Sequence, residues 1–432
     1  MHRSEGATAL LGMEEFVVGA QLEVDGEVWL LLETAAEVVG CEGCGTRAVG
    51  HGRRVVKVRD LPAGDRPVVL VWRKRIWRCP DPDCDVRTWT EETDAIAPRA
   101  VLTERARTEI CRRVGAEGHS VAQVARAFGV GWHTAMAAVR DHGQPRVDHL
   151  SRLRRPSAIG LDETSFLAAN ATHPTVLVSG VVDLDRHRLI DVVPGRSAEA
   201  VSTWLRAKPP RWLVGIRTAV IDPYSGYALG LADGLPNARL VVDHFHAVRL
   251  ANQALDEVRR RVQQDTLGHR GRKLDPLYRA RRRLLVGHER LGDDGWSRVV
   301  ALLERGDPAG EVGAAYVAKE LLREVYDTTE AEEARRRLRL FYDHCAASEV
   351  PELDRLARTV RRWEAQILAW HATQLTNGPT EAVNLLVKKV KRVGHGFRNF
   401  ENYRLRLLLH CGVPWKTHRT APMRARHPRA VA

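Results

Sequence analysis

The spacing of apolar positions changes character several times along this chain, and each change predicts a different kind of element. Up to about residue 95 the apolar residues fall in short strand-like runs, as in Val55-Val-Lys-Val58 and Val68-Val-Leu-Val-Trp72, with a further strand-like stretch over about Phe16 to Leu32. From Leu102 to Val114 the pattern is helical. Ser120 followed by Gln123 makes a capping box, and Val121, Val124, Ala125 and Phe128 recur at helical spacing behind it. Gly129 ends that helix, and another is expected from about Trp132 to Arg140. A short helix, a glycine turn and a second helix form a helix-turn-helix, although ordinary helical hairpins share the pattern.

From about Ser157 the strands return. Ala158-Ile-Gly-Leu161 leads into Asp162, Thr218-Ala-Val-Ile221 into Asp222, and Ala238-Arg-Leu-Val-Val242 into Asp243. Thr175 to Val182 and Arg188 to Val193 supply two more strands, and a helix is expected from Ser197 to about Ala207. Three strands followed by alternating helix and strand predict an α/β sheet. A mostly helical block covers about Thr266 to Trp370. Beyond it, Thr376-Asn-Gly-Pro-Thr-Glu381 opens a long helix with Pro379 in its first turn. Along that helix Glu381, Asn384 and Lys388 share one polar face, opposite an apolar stripe of Ala382, Val383, Leu386, Val387 and Val390 expected to pack on the sheet.

Charge adds a partner to this picture. The chain carries 67 Lys and Arg against 54 Asp and Glu, a formal net charge of +13, which suits a polyanion such as nucleic acid. No apolar run approaches the ~20 residues that span a bilayer, so a membrane is not an expected partner, and the N-terminus lacks the plan of a signal peptide. A cytoplasmic, nucleoid-associated protein is expected. Four of the seven cysteines form two close pairs, Cys41 with Cys44 and Cys79 with Cys84. Pairs with Gly or Pro between their members fit one structural Zn²⁺ in a closed tetrahedral site, with free thiols or a redox pair as the alternatives.

The candidate chemistry is acidic. Two aspartates at strand ends, Asp162 and Asp222, facing Glu381 on a helix, suit two Mg²⁺ or Mn²⁺ ions over a phosphodiester. The plainer alternative for Glu381 is that it only complements the positive end of its helix. Candidate DNA contacts are Arg73 and Arg75 on one face of the strand that ends in Trp72-Arg-Lys-Arg-Ile-Trp-Arg78, together with Trp132, His133, Thr134 and Arg140 around the second helix of the helix-turn-helix. Asn384 and Lys388 are candidates on the Glu381 helix. Basic residues early in the helical block, His269 to Lys273 and Arg279 to Arg283, suit a DNA channel or a solvated face.

These pieces together resemble the ISL-three family of bacterial insertion-sequence transposases. The resemblance rests on the paired cysteines, the helix-turn-helix, Gly160-Leu-Asp-Glu163, Asp222-Pro-Tyr224, Val242-Asp-His-Phe-His246, and Asn377-Gly-Pro-Thr-Glu381 with its continuation to Phe400. It implies a multidomain α/β protein with a ribonuclease-H-like catalytic core, a helical insertion, and an N-terminal zinc ribbon and helix-turn-helix. Asp162, Asp222 and Glu381 would form its DDE triad, and His246 would contact the scissile phosphate or shape the pocket. The partners implied are double-stranded DNA, both transposon ends and target, and a second copy of the chain as a homodimer. A nuclease or a DNA-binding regulator of the same fold is the alternative. The expected domains are 1–36 of unassigned role, 37–95 zinc ribbon, 96–150 helix-turn-helix, 151–265 first part of the core, 266–370 insertion, 371–411 final core helices, and 412–432 a basic tail expected to be disordered.

Overall fold

The computed structural model describes residues 5–35 and 38–415; the basic tail after Trp415 lies outside them. Two compact units divide the chain, Met1–Arg152 with Val387–Ala432, and Leu153–Leu386.

The first unit begins with helix α1 (Glu5–Leu11) and a hairpin of β1 (Phe16–Val24) and β2 (Glu27–Thr34). Asp25 and Gly26 form its turn, both with positive φ, as a tight two-residue hairpin loop requires. Strands β3 (Val49–Ala63) and β4 (Arg66–Arg78) form a second, longer hairpin, and β5 (Thr88–Thr90) pairs with β4. The sheet order is β1-β2-β4-β3, with β2 parallel to β4. The hairpin of residues 16–34, within the segment to which the sequence gives no role, therefore extends the sheet that leads to Cys79. Its core joins Phe16, Val18, Leu30 and Leu32 from the first hairpin to Val58, Leu70 and Trp72 from the second. Phe16 and Trp72 meet edge to face, with centroids 5.5 Å apart.

Three helices follow: α2 (Glu104–Gly115), α3 (Val121–Ala127) and α4 (Trp132–Asp148). Thr103 caps α2, and Ser120 caps α3 by accepting from the Gln123 amide. Helix α4 runs beyond Arg140 because Pro145 does not end it; Ala135, Met136, Ala138, Val139 and Val147 give it a buried face to its last turn.

The second unit is built on a five-stranded sheet of β6 (Ala158–Leu167), β7 (Val176–Asp183), β8 (Arg188–Pro194), β9 (Thr218–Ile221) and β10 (Arg239–Val242), in the order β10-β9-β6-β7-β8. The β6–β7 and β7–β8 pairs are antiparallel, whereas β9 pairs parallel with β6 and β10 parallel with β9. Helices α5 (Ala198–Arg206), α6 (Pro210–Leu213) and α7 (Ser225–Gly234) occur among these strands. After β10 the chain enters α8 (His244–Leu267), 24 residues long, and then α9 (Pro276–Ala280), α10 (Gly292–Gly306), α11 (Glu311–Glu324), α12 (Ala331–Ala347), α13 (Pro351–Arg362) and α14 (Glu364–Thr373). One continuous apolar core runs from Ile159, Leu161 and Ile221 of the sheet to Leu322, Phe341 and Leu356 of these helices. The insertion is thus part of the same folded body as the sheet, not an appendage.

Helix α15 (Gly378–Val393) spans the division between the units, and α16 (Phe400–Leu407) closes the described chain. The apolar stripe of α15 is narrower than its sequence predicts. Val383, Val387 and Val390 are buried, while Ala382 and Leu386 are exposed and Asn384 is 7% exposed. Among the described residues no helix is long and apolar enough to cross a membrane.

Candidate active site and metal centre

The four paired cysteines converge on one point, every Sγ lying within 4.8 Å of the others. Cys41 and Cys84 are 3.7 Å apart and Cys44 and Cys79 3.5 Å. Four sulfurs around Zn²⁺ at about 2.3 Å would stand about 3.8 Å from one another, so this cluster needs almost no movement to accept the ion. Hydrogen bonding to Thr46 brings the Cys44 thiol down to about 7, whereas burial pushes Cys79 up to about 12. Zinc uptake must therefore expel protons, most of all from Cys79.

The acidic residues are placed by the sheet. Leu161 of β6 is in register with Ile221 of β9, and Ile221 with Val242 of β10. The next residues, Asp162, Asp222 and Asp243, consequently form a row just past the parallel pairing of the three strands. Asp222 and Asp243 follow the ends of β9 and β10, whereas Asp162, expected at a strand end, lies within β6, which continues to Leu167 against β7. Burial, and then the neighbouring Asp222 carboxylate, push Asp162 up to about 6. Two carboxylates that repel each other across neighbouring strands are hard oxygen donors of the kind Mg²⁺ and Mn²⁺ take.

Side chains of the protein hold these carboxylates. Asn384 of α15 donates to Asp162 Oδ2 at 2.5 Å, and the Glu163 amide donates to its Oδ1. His246, 2% exposed, places Nε2 2.7 Å from Asp222 Oδ1, and Arg249 places a guanidinium nitrogen 3.0 Å from Oδ2. His246 and Arg249 lie one turn apart on α8, so one helix grips both oxygens of Asp222. Asn377 Nδ2 lies 3.3 Å from His246 Nε2, and His246 Nδ1 is buried with no protein partner. Asp243 holds the neighbouring His244, with His244 Nδ1 3.0 Å from its Oδ1; that hydrogen bond, and more weakly Glu381, raise the His244 pKa.

Glu381 stands one turn before Asn384, a rise of about 4.5 Å along α15. Among the described residues only the cysteines bring three or more His, Cys, Asp or Glu ligand atoms within one ion's reach. Glu381 must therefore move its side chain to share an ion with Asp162 and Asp222.

The start of α15 approaches the sheet because position 160 is glycine. A Cβ on Gly160 would lie 2.1 Å from Thr380 Oγ1, 2.9 Å from Asn377 Oδ1 and 3.0 Å from Leu184 Cδ2. Asn377 and Thr380 are fully buried there, and Asn377 Oδ1 and Thr380 Oγ1 have no protein partner. Gly160-Leu-Asp and Asn-Gly-Pro-Thr-Glu381, far apart in sequence, are two sides of one close contact. The sequence gives Gly160, Asn377 and Thr380 only as members of motifs, and Arg249 no signal; a glycine within the apolar run before Asp162 is the feature that points to a close approach.

The candidate DNA contacts separate into two groups. Trp132, 42% exposed, His133 and Arg140 are exposed on α4 and Thr134 is half-buried. Arg73 and Arg75 are already engaged. Arg73 lies 3.0 Å from Glu33, and Arg75 donates to the Thr34 and Ala35 carbonyls while its own amide donates to Glu91. Asn384 is spent on Asp162, and Lys388, a turn further along α15, is exposed.

Known protein families match along most of this chain. Residues 159–407 match a family described as Transposase, of the DDE type and the ISL3 group. Residues 37–84 match the zinc-finger of transposase IS204/IS1001/IS1096/IS1165, and residues 91–143 the helix-turn-helix domain of transposase family ISL3. The transposase for insertion sequence element IS1001 from Bordetella parapertussis is 26% identical over 392 residues, covering 88% of this chain and 90% of that protein. The transposase for insertion sequence element IS1557 from Mycobacterium tuberculosis is 27% identical over 293 residues, 62% of this chain and 63% of its own.

Proposed function

Because this chain belongs to the ISL3 family of transposases, we propose that Asp162, Asp222 and Glu381 are the groups with which it cuts and joins DNA. The observation that carries the reading is the alignment of Asp162 and Asp222 just past the parallel pairing of β6 with β9, with α15 fastened to Asp162 through Asn384. The sheet order, three antiparallel strands followed by two parallel ones on the far side of the first, supports a ribonuclease-H-like core.

Asp162 and Asp222, with Glu381 turned in from α15, would hold two divalent ions, Mg²⁺ or Mn²⁺. Such ions, when bound, activate the attacking oxygen and neutralise the leaving one. The protein's own share is positional. Asn384 and the Glu163 amide aim Asp162, and His246 aims Asp222. Asn377 and Thr380 seat the start of α15 on Gly160, which sets where Glu381 can swing. The attacking group is water for cleavage and a DNA 3′-hydroxyl for strand transfer, with no covalent protein–DNA intermediate. His246 is a positioning residue in this scheme, since its contact is with Asp222.

The four cysteines would bind one structural Zn²⁺, and the zinc ribbon and helix-turn-helix would recognise the terminal inverted repeats, with Trp132, His133, Thr134 and Arg140 at the DNA. Lys388 and the exposed arginines of the insertion would contact backbone phosphates. Two ends are processed together, so the working form would be a homodimer on bacterial nucleoid DNA.

The test is excision and integration of a marker flanked by the native DNA ends, comparing the wild type with Glu381→Gln. Activity in the wild type, and its loss in the variant with DNA binding retained, is expected. An active Glu381→Gln would remove Glu381 from the triad. Cleavage without joining by the wild type would favour a nuclease.

A further inference from the structure

In the first unit a groove of about 360 Å³ lies between the helix-turn-helix and the chain that follows α15. Ser120, Trp132 and Met136 form one wall, and Phe397, Arg398 and Arg406 the other. Arg406 is only 4% exposed. One of its guanidinium nitrogens donates to the His119 carbonyl at 3.0 Å, and its guanidinium lies 5.3 Å from the centroid of the Phe397 ring. Its Nε has no protein partner. Burial alone pulls Arg406 down to about 10, with no carboxylate acting on it.

A buried guanidinium without a counter-charge is costly, because the desolvation of an ion amounts to several kcal/mol, and a carbonyl and a ring face offset it only in part. Buried arginines are almost always paired. Among the described residues no carboxylate pairs with Arg406, and the groove gives an anion from outside a route to it. Trp132 stands on the rim at the first turn of α4, the turn whose residues reach DNA in a helix-turn-helix. Arg398 is exposed at the opposite lip.

We propose that this groove is a seat for one backbone phosphate of duplex DNA, bound against Arg406, flanked by Arg398, and covered by Trp132. The segment after the Glu381 helix would then belong to the DNA-binding surface, a role that the helix-turn-helix alone does not predict. The inference rests on DNA binding by the helix-turn-helix and goes beyond it.

The experiment measures the affinity of full-length protein for its native DNA end over a series of salt concentrations, with the melting temperature measured without DNA. Arg406→Met keeps the length of the side chain and removes the charge. Its DNA affinity should fall roughly tenfold, as expected for a charged hydrogen bond. The slope of log affinity against log salt should shrink by about 0.9. Its DNA-free melting temperature should hold or rise, since an uncompensated buried charge has gone. Arg398→Ala, which changes an exposed residue, should weaken binding in the same direction.

A sharp drop in melting temperature for Arg406→Met with unchanged binding in Arg398→Ala would make Arg406 a structural strut and overturn the proposal. Arg140→Ala separates the two levels of the argument. If it weakens binding while Arg406→Met and Arg398→Ala do not, the helix-turn-helix reading stands and the seat is wrong; if none of the three weakens it, both fail. Inorganic phosphate distinguishes the sources. Stabilisation of the wild type by phosphate, with duplex affinity unaltered in Arg406→Met, would assign the groove to a free anion and overturn the DNA assignment.

Discussion

The cysteine centre and the acidic centre of this protein would solve the same problem, holding a cation, in opposite ways. At the cysteines the ligand atoms already stand 3.5–3.7 Å apart within each facing pair, close to the edge of a zinc tetrahedron. At the acidic site the carboxylates are near one another but occupied: Asn384 holds Asp162, and His246 and Arg249 hold Asp222. Glu381 stands apart on its helix. A closed site keeps its ion for the life of the fold, whereas an open one must exchange ions, substrate and protein groups. The difference is therefore between a site finished by folding and one finished by its substrate.

The sharpest way to break the comparison is at the cysteines. Cys79→Ser should reduce bound zinc from one equivalent to almost none, because three thiolates do not close the tetrahedron. Apparent zinc-binding energies at such sites are on the order of 10 kcal/mol, so the loops around Cys41 and Cys79 should become protease-sensitive. The sheet behind them should survive, since Phe16, Leu70 and Trp72 give it a core of its own. Metal analysis with limited proteolysis measures both, and a variant that retains a full equivalent of zinc would remove Cys79 from the ligand set.

Asp162→Asn tests the acidic side. The folded carboxyl titrates at about 6 and an unfolded one near 3.9, so the metal-free folded protein holds a proton there that the unfolded chain has lost. The stability contribution of this group is therefore largest below about pH 4 and falls as pH rises to 6, by on the order of 3 kcal/mol. Asp162→Asn should melt higher than the wild type at pH 7.5 without divalent ions and match it near pH 4, while strand transfer is lost. If it melted lower at pH 7.5, burial and the neighbouring Asp222 carboxylate would not be what sets the stability contribution of that carboxyl.

How much of this contrast the sequence discloses depends on whether a feature is local. Paired cysteines, the Ser120 cap and aspartates after short apolar runs are local signals. The cysteines converge, Ser120 caps α3 and Asp222 follows the end of β9, but Asp162, expected at a strand end, lies within β6 because that strand continues along β7. The parallel pairing of β2 with β4 joins segments about 40 residues apart, and no periodicity encodes it. The same holds for Arg75, whose partners Thr34, Ala35 and Glu91 come from two other parts of the chain. Asn384 reads as one of a polar face shared with Glu381 and Lys388 and aimed into a cleft. That it is buried and bonded to Asp162, while Lys388 stays exposed, depends on a strand residue 222 positions earlier. The Asp25-Gly26 turn, by contrast, is written locally: Asp-Gly between strand-like runs is a hairpin signal, and both residues have the positive φ such a turn needs.

Gly160→Ala sharpens the comparison from the side of packing. The added methyl would meet Thr380 and Asn377, both fully buried, and α15 would have to shift. Overpacking of this kind costs about 1–3 kcal/mol. Because the shift falls on the helix that carries Glu381, activity should drop much further than the melting temperature implies, while zinc content stays at one equivalent. A variant with normal activity would mean that the seat of α15 on β6 does not set the position of Glu381.

The smallest effect is expected at Arg249, and it addresses most directly why the acidic site is not finished by folding. Its guanidinium is more than half exposed and pairs with Asp222 Oδ2, which a divalent ion would also claim. An exposed pair of this kind contributes about 0–1 kcal/mol, so it can be displaced. With Arg249→Ala, Asp222 keeps His246 on one oxygen and has the other free. Mn²⁺ should then bind the DNA-free protein a few-fold more tightly, because the ion no longer competes with a cation already in place. DNA cleavage should at the same time fall modestly, since a guanidinium released from Asp222 is well placed to meet a phosphate. Titration of Mn²⁺ by electron paramagnetic resonance reads the first effect, and cleavage at saturating Mn²⁺ the second. Weaker Mn²⁺ binding in Arg249→Ala would mean that the arginine orients Asp222 for the ion, and the acidic centre would then be as pre-formed as the cysteine centre.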